Sequence, residues 1–497
     1  MTFFSKTISS RQLSLLIFLL SLLSTSLFST SRYITDSYEY SIVASCYADS
    51  NFMGMNCWDV NYFFRPAFPS FLVLISSPFL DNYVGIVFWA WISSSLLLFL
   101  IWYGGKTIIS AEFGGWAWLA FTASPFIRNL NSFADSRIII LPFILWAGIT
   151  LLHPKNTPTL LLSGGIACIL AFLTRMEGLL LLPIFLFFQI VLRKSSWKIT
   201  AVLFTGTLGL WVLGIRQQGG ILSISPRYWE GYLLLASQKM PLRWALDLFG
   251  MGIWSPPMRQ IAIPQSPVSM PLDSINFQEW LHWLKLSVLD YFPSWGWGIL
   301  GLGIASSFRK KETWIPFSVL SALMLPSLVI TFLPQARDYL FPQANTFPIW
   351  LISLLGIIWA LEQLSQFFPK FVKQGFIALG IALLSWFSNP VHLDSGIEFF
   401  PIAQQTTNWL KENTPQNSIV LSSYELAPIV FLSHRRWEQW PSPYDWELRL
   451  NTDKPVYALV SRIDPHAQNP LAFTAWKEPT AYFRDQENEF LVIQLKD

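Results

Sequence analysis

Long apolar runs, separated by short polar stretches, recur from the N-terminus to about residue 390. Each run is close to the roughly 20 residues that an α-helix needs to cross the hydrocarbon of a bilayer. Residues 1–390 are therefore expected to form an all-α polytopic membrane bundle. The pattern predicts about eleven transmembrane helices, at 12–30, 84–103, 114–128, 137–152, 159–174, 178–192, 199–215, 293–308, 314–333, 346–362 and 374–390.

The stretch 63–80 is also apolar, but Pro66, Pro69 and Pro78 interrupt it. Proline removes a backbone donor and disturbs the interior of a helix. We therefore predict a short helix that lies at the membrane surface. If this stretch crossed the membrane instead, the orientation of every later helix would be reversed.

The basic residues of the short loops indicate the orientation of the bundle. Lysine and arginine are enriched in cytoplasmic loops. If the N-terminus is cytoplasmic, most of the basic residues in short loops also fall on the cytoplasmic side. They are Lys6, Arg11, Lys106, Lys155, Arg193, Lys194, Lys198, Arg309, Lys310, Lys311, Lys370 and Lys373. The predicted location is the plasma (inner) membrane, with three larger regions on the outer side: 31–65, 216–292 and 391–497.

Composition agrees with a membrane protein. The 497 residues are 53% hydrophobic and 13% charged, whereas soluble domains carry about 25% charged residues. The net charge is only +3, and no basic cluster suggests that a nucleic acid is a partner. Of the three cysteines, Cys168 lies in an apolar run. Cys46 and Cys57 lie in the first outer loop, as a disulfide or as two free thiols.

The tail 391–497 is more polar than the rest of the chain. Its pattern predicts an amphipathic helix at 400–411 and short strands at 419–421, 456–460 and 490–493. We expect a small C-terminal α/β domain on the extracytoplasmic side. No nucleophile elbow, phosphate-binding loop or dinucleotide fingerprint occurs in it.

Asp36 and Glu39 stand three residues apart, just after the first predicted membrane helix. Placing an ionised group near hydrocarbon costs several kcal/mol of free energy unless the group is solvated, paired with an opposite charge or part of a functional site. Each carboxylate alone is explained by a solvated loop. The pair, at the mouth of a membrane bundle, suggests a reaction on a lipid-linked substrate.

Five arginines lie near the outer ends of the predicted helices, against the orientation rule. Each one alone is explained by an ion pair or by a side chain that extends to the interface. As a set they favour a site for an anion such as a lipid phosphate, whose geometry suits the guanidinium group. They are Arg65, Arg128, Arg137, Arg175 and Arg337.

Five short segments, in their order along the chain, resemble motifs of one enzyme family. They are Asp36-Ser-Tyr-Glu39-Tyr40, Phe64-Arg65-Pro66-Ala-Phe-Pro69, Ser124-Pro125 with Ala134-Asp135, Leu173-Thr174-Arg175-Met176-Glu177-Gly178, and Ala336-Arg337-Asp338-Tyr339-Leu340-Phe341-Pro342. Together they resemble the membrane-embedded glycosyltransferases with a GT-C fold, and within them the protein O-mannosyltransferase and aminoarabinose-transferase-like group. The family often has Asp-Glu where Ser37 follows Asp36 here. It usually has Arg-Tyr adjacent, whereas Asp338 intervenes in this chain.

The resemblance implies transfer of a sugar from a polyprenyl-phosphate donor to an acceptor hydroxyl, with inversion, at the outer face of the membrane. The acceptor would be a lipid, a glycan or a protein. Asp36 matches the family's catalytic acidic position and would be the base. Glu39 would orient the acceptor, bind a metal or pair with an arginine. Asp135 is a second acidic candidate, with an ion pair to a nearby arginine as the alternative.

For the donor phosphate, the resemblance favours Arg337 first, followed by Arg65 and Arg175. Tyr339 would bind the phosphate or anchor the chain at the interface. A divalent ion, Mg²⁺ or Mn²⁺, would be able to bridge the phosphate and Asp36, and the sequence leaves the need for a metal open.

Two other functions remain open from the sequence. A polymerase or ligase of polysaccharide assembly also uses arginine-rich outer loops. A transporter of lipids or sugars would show inverted repeats and charges within its membrane helices. The charges of this chain lie mostly at helix ends, which favours the glycosyltransferase.

Overall fold

The structure is a computed structural model. It describes residues 9–27, 67–80, 82–125, 136–155, 157–175, 178–193, 291–307, 315–324, 347–388, 401–422, 426–439, 452–461, 478–484 and 489–496, and single positions at 40, 41, 43, 44, 48, 202, 203, 205, 206 and 209.

Helices make up most of the described chain. They are α1 (Ser10–Leu27), α2 (Ala67–Ser76), α3 (Asn82–Gly104), α4 (Ala111–Ala123), α5 (Ser136–Leu152), α6 (Pro158–Thr174), α7 (Gly178–Arg193), α8 (Ser294–Ser307), α9 (Ile315–Met324), α10 (Phe347–Ser365), α11 (Lys370–Phe387), α12 (Pro401–Asn413) and α13 (Ala427–Leu432).

Within the described ranges, one helix is long and apolar enough to cross a membrane, Val84–Ile109. Seven further apolar helices are shorter than that threshold, so the number of eleven spans stays a prediction. The outer faces of the helices are apolar, as Leu15 and Leu19 on α1 and Phe187 and Ile190 on α7 show by their exposure. Such a surface is unfavourable in water and suits lipid.

Side-chain contacts between helix termini identify two ends of the bundle. Helix α3 packs against α1, α2, α4 and α5, and α6 packs between α5 and α7. Helix α5 begins at Ser136, opposite the residue that follows the last turn of α6, Arg175. Just beyond the far end of α5, His153 lies beside Tyr103 near the end of α3. We name the first end the Ser136 end. The other is the Glu112 end, since Glu112 is in the first turn of α4.

Helix α2 corresponds to the apolar stretch 63–80. Its ten residues span about 15 Å, half of the roughly 30 Å of hydrocarbon. The prediction of a short helix is therefore confirmed, and its position at the membrane surface stays a prediction. Pro69 falls within the first turn, where no intrahelical N–H bond is lost, and Pro78 lies beyond the end of the helix.

The described part of the tail contains a five-stranded sheet and two helices. Strands β1 (Ile419–Ser422), β2 (Arg436–Gln439) and β3 (Val456–Ser461) are parallel, and β4 (Ala481–Arg484) and β5 (Glu489–Lys496) are antiparallel to their neighbours, in the order β2-β1-β3-β5-β4. Helix α13 lies between β1 and β2 in the sequence, and α12 packs against α13, β4 and β5. The predicted helix and the three predicted strands are confirmed, and β2 and β4 are additions to them.

Arg435 joins α12 to the turn before β2. Its guanidinium donates to the carbonyl oxygens of Lys411 at 2.7 Å, Thr414 at 2.7 Å and Ser433 at 3.0 Å. Burial lowers the pKa of the Arg435 side chain below its ordinary value. These bonds satisfy carbonyl groups that the end of a helix leaves without an intrahelical donor.

Candidate functional site

Most of the side chains that the sequence singled out lie outside the described residues. This applies to Asp36, Glu39, Asp135, Arg65, Arg337 and Tyr339, and also to the cysteine pair Cys46 and Cys57. Arg175 is described, as are Tyr40 and Ser136, the residues that directly follow Glu39 and Asp135 in the chain. Four of the five segments of the resemblance have at least one described member, and the segment 336–342 has none.

These three residues meet at a single oxygen atom. The Tyr40 hydroxyl donates a hydrogen bond to Ser136 Oγ at 2.7 Å. The Arg175 guanidinium donates to the same oxygen through Nη1 at 3.3 Å. The partners of Ser136 are 96 and 39 residues away in the sequence. A buried serine thus connects two segments that lie far apart from it in the sequence.

Apolar packing fixes the position of Tyr40. The residue is fully buried, in a cluster with Val73 of α2, Ile86 of α3 and Ile139 of α5. The cluster surrounds the ring, while the hydroxyl reaches Ser136 in the first turn of α5. A tyrosine buried in this way normally directs its polar tip to a partner. The segment that follows Glu39 is therefore held against α2, α3 and α5.

The position of Arg175 results from how α6 ends. The helix stops at Thr174, and Arg175 adopts an extended conformation while its N–H still donates to the Ala171 carbonyl. The N–H of Gly178 then donates to the Arg175 carbonyl at 3.0 Å, which closes a tight turn before α7. A Cβ at Gly178 would overlap the backbone of Ala171 and Phe172. Only glycine allows this approach, which explains the glycine of the Thr-Arg-x-Glu-Gly pattern.

Two half-buried arginines lie at the Ser136 end. Arg137 follows Ser136 on α5 and is half-buried, as is Arg175. Both guanidinium groups belong to the end of the bundle that carries Tyr40 and Ser136. A low effective dielectric strengthens the field of charges in such a position. This end is therefore suited to attract an anionic group.

The Ser124-Pro125 segment has a local structural role in the described chain. Ser124 is the C-cap of α4, and its hydroxyl donates to the Phe121 carbonyl at 3.1 Å. Ser385 of α11 donates to the Ala123 carbonyl. The two serines thus use carbonyl groups at the end of α4, where intrahelical donors are missing.

Sequence reasoning did not select Ser136 and gave Tyr40 no role. The polar run Asp135-Ser136-Arg137 before an apolar helix was the available signal. Nothing in the sequence indicates that the serine accepts bonds from two remote segments. In the part of the chain that the structure describes, no group of three or more His, Cys, Asp or Glu side chains is arranged to hold a metal ion. Because Asp36 lies outside that part, the metal stays a prediction.

No protein-family model matches the sequence, and no curated protein matches it. Several solved structures, however, match the structure of this chain. The apo oligosaccharyltransferase of Archaeoglobus fulgidus matches with a TM-score of 0.54 at 11% identity, covering 93% of this chain and 70% of that chain. The same enzyme in complex with Zn and sulfate matches with a TM-score of 0.51 at 14% identity, covering 86% of this chain and 62% of that chain.

ArnT from Cupriavidus metallidurans bound to undecaprenyl phosphate matches with a TM-score of 0.48 at 14% identity, covering 97% of this chain and 98% of that chain. Because this score is below 0.5, the conclusion on the fold is based on the oligosaccharyltransferase. At such low identity a match shows a shared fold and not a shared activity. The resemblance is thereby confirmed at the level of the fold: the chain has the GT-C fold, which it shares with the oligosaccharyltransferase.

Proposed function

We propose that the protein is a membrane glycosyltransferase. It moves a sugar from a polyprenyl-phosphate donor to an acceptor hydroxyl, with inversion, on the outer face of the membrane. The observation that carries this proposal is the convergence of Tyr40, Ser136 and Arg175 on one oxygen. A fold hosts many activities, so the assignment depends on this site.

The convergence supports the proposal because the reaction needs opposite charges close together. A base must take the proton of the acceptor as it attacks, and positive charge must stabilise the departing lipid phosphate. Glu39 and Asp135 are each one peptide bond from a residue of the Ser136 network, and Arg175 belongs to it. Chain connectivity therefore favours carboxylates and a guanidinium at the same end of the bundle.

The acidic residues have separate roles in this proposal. Asp36 is the base that takes the acceptor proton. Glu39 orients the acceptor hydroxyl, and Asp135 is a second acidic group, from another loop of the chain. If Mg²⁺ or Mn²⁺ takes part, Asp36 would be the residue that holds it, since carboxylate oxygens suit these hard cations.

The basic residues bind the donor phosphate. Arg337 is the first choice, followed by Arg65 and Arg175, with Tyr339 as a hydrogen-bond donor. Arginine offers several N–H groups in a planar fork that fits phosphate oxygens.

In the proposed orientation the N-terminus is cytoplasmic and the Ser136 end faces outward. Residues 1–390 form the transmembrane domain, with outer loops 31–65 and 216–292, and residues 391–497 form an extracytoplasmic domain. The partners are the polyprenyl-phosphate sugar, an acceptor that is a lipid, glycan or protein, and membrane lipids. Two properties support this orientation: the basic loops at the Glu112 end, and the distribution of acidic segments at the other end.

The test is transfer of radiolabelled sugar from short-chain polyprenyl-phosphate donors by the purified full-length protein in detergent. We expect wild type to release polyprenyl phosphate and Asp36→Asn to lose at least about 100-fold in rate, as expected for loss of a general base. Asp453→Asn, an exposed aspartate before β3, is the matched control and should behave as wild type. Full activity of folded Asp36→Asn would remove Asp36 as the base.

A further inference from the structure

We infer that Ser136 is a positioning residue for the donor phosphate, and that it acts through Arg175. This inference rests on the proposed function, since it concerns how the same site binds its donor. No motif of the resemblance contains Ser136. Its assignment comes from the two hydrogen bonds that its oxygen accepts.

The hydrogen-bonding capacity of a serine sets the first step. A hydroxyl oxygen has two lone pairs and one hydrogen to donate. The phenol of Tyr40 and the guanidinium of Arg175 both act as donors to Ser136 Oγ. The two lone pairs are therefore occupied at the same time. Ser136 cannot move without weakening contacts to two segments that are remote in the sequence.

Burial makes this arrangement costly to disturb. Ser136 is 1% exposed and Tyr40 is 0% exposed. Removing the serine oxygen would leave a buried phenol and a half-buried guanidinium without this acceptor. Losing one such hydrogen bond costs about 0.5–1.5 kcal/mol. The side chains would turn to other acceptors, and the orientation of Arg175 would change with them.

The two distances indicate different roles for the two donors. The Tyr40 bond is 2.7 Å long, near the optimum for two hydroxyl groups. The Arg175 bond is 3.3 Å long, slightly longer than the usual N–H···O range, and it uses one of five N–H groups. Tyr40 thus fixes the serine firmly, and the serine orients the guanidinium with a weaker bond.

Two measurements test the inference on the full-length protein in detergent: KM and kcat for the polyprenyl-phosphate sugar, and the Kd of farnesyl phosphate. For Ser136→Ala we expect KM and Kd to rise about tenfold, the effect of one charge-assisted hydrogen bond, with a smaller change in kcat. Tyr40→Phe should raise both by a similar factor. The double variant should be no worse than Ser136→Ala alone, since both changes break the same connection.

The matched control is Ser94→Ala. Ser94 is a fully buried serine on α3, and its hydroxyl donates within its own helix, to the Ala90 carbonyl at 3.0 Å. Its KM and Kd should equal those of wild type. Ser136→Thr, which retains the hydroxyl, should recover most of the affinity that alanine loses. If threonine proves too large for the site, Tyr40→Phe provides the decisive test of the connection.

The outcomes separate the two proposals. Wild-type KM and Kd in folded Ser136→Ala and Tyr40→Phe, with lowered thermal stability only, would show a structural serine and overturn this inference alone. A wild-type protein that neither transfers sugar nor binds farnesyl phosphate would overturn the proposed function and this inference with it. Selective loss of donor affinity, with rescue by threonine, would support both.

Discussion

The two ends of the helical bundle hold their polar side chains in different ways. At the Ser136 end, a buried neutral hydroxyl connects three segments that are far apart in the sequence. At the Glu112 end, Lys373 of α11 forms an ion pair with Glu112 of α4 at 3.6 Å, and the Glu112 side chain is 63% exposed. Exposed ion pairs contribute at most about 1 kcal/mol. The charged contact is thus the weaker of the two, although it is easier to see in the sequence.

The Glu112 end also has a buried polar side chain, Glu362, but this shared feature does not make the two ends alike. This residue of α10 is buried at the Glu112 end, and its Oε2 has no hydrogen-bond partner among the residues that the structure describes. It lies close in sequence to Lys373, on the next helix. The Ser136 end differs because its contacts unite the acidic segments with the Thr-Arg-x-Glu-Gly turn. Substitutions at the two ends can test this contrast, and we expect larger effects at the Ser136 end than at the Glu112 end.

The largest effect is expected from Gly178→Ala. The new Cβ would overlap backbone atoms of Ala171 and Phe172, and backbone gives way less easily than a side chain. Overpacking of this kind destabilises by about 1–3 kcal/mol, and the turn that carries Arg175 would shift. We expect a lower midpoint of thermal unfolding in detergent, together with a loss of sugar transfer of more than about tenfold.

Gly298→Ala is the control for this substitution. Gly298 lies on α8, and a Cβ there would meet nothing within 4 Å. Alanine should be neutral or slightly stabilising at such a helical position. Equal behaviour of the two variants would contradict the tight turn and, with it, the explanation for how Arg175 reaches Ser136.

An intermediate effect is expected from Arg175→Lys, which separates charge from geometry. Lysine retains the positive charge but offers a single ammonium in place of a planar fork. We expect kcat/KM for the donor to fall about tenfold, the value of one charge-assisted hydrogen bond. The midpoint of thermal unfolding should change little. Unchanged kcat/KM would show that only the charge of Arg175 matters, so that its hydrogen bond to Ser136 has no role in transfer.

Much of the fold was predictable from the sequence, because hydrophobic periodicity responds directly to burial. In the tail, the apolar strands β1, β3 and β5 were predicted, as was α12. Strands β2 and β4 were not. Each has only four residues, β2 reads Arg-Trp-Glu-Gln, and β4 alternates half-buried with exposed positions. Short edge strands with polar residues have no distinct pattern, and only the neighbouring strand determines their pairing.

The sequence predicted which types of residue the site contains, but not the hydrogen bonds that join them. Arg175 was selected because its charge opposed the orientation rule, and Gly178 because it belonged to the turn pattern. Ser136 carries no charge and stands at the start of an apolar helix, where a serine is unremarkable in sequence. Its role depends on Tyr40, 96 residues earlier. Contacts of this kind arise from tertiary packing, which local patterns do not encode.

The smallest effect is expected at the Glu112 end, from Lys373→Met. The substitution removes the ion pair with Glu112 but retains much of the apolar stem that lies along the helix. Because the pair is partly exposed, we expect a change in the free energy of unfolding below about 1 kcal/mol, and unchanged kcat/KM for sugar transfer. Glu112→Gln should behave alike, and the double variant should show a coupling that decreases with added salt. A loss of transfer in Lys373→Met as large as that in Arg175→Lys would remove the contrast between the ends, because the Glu112 end would then also act on the reaction.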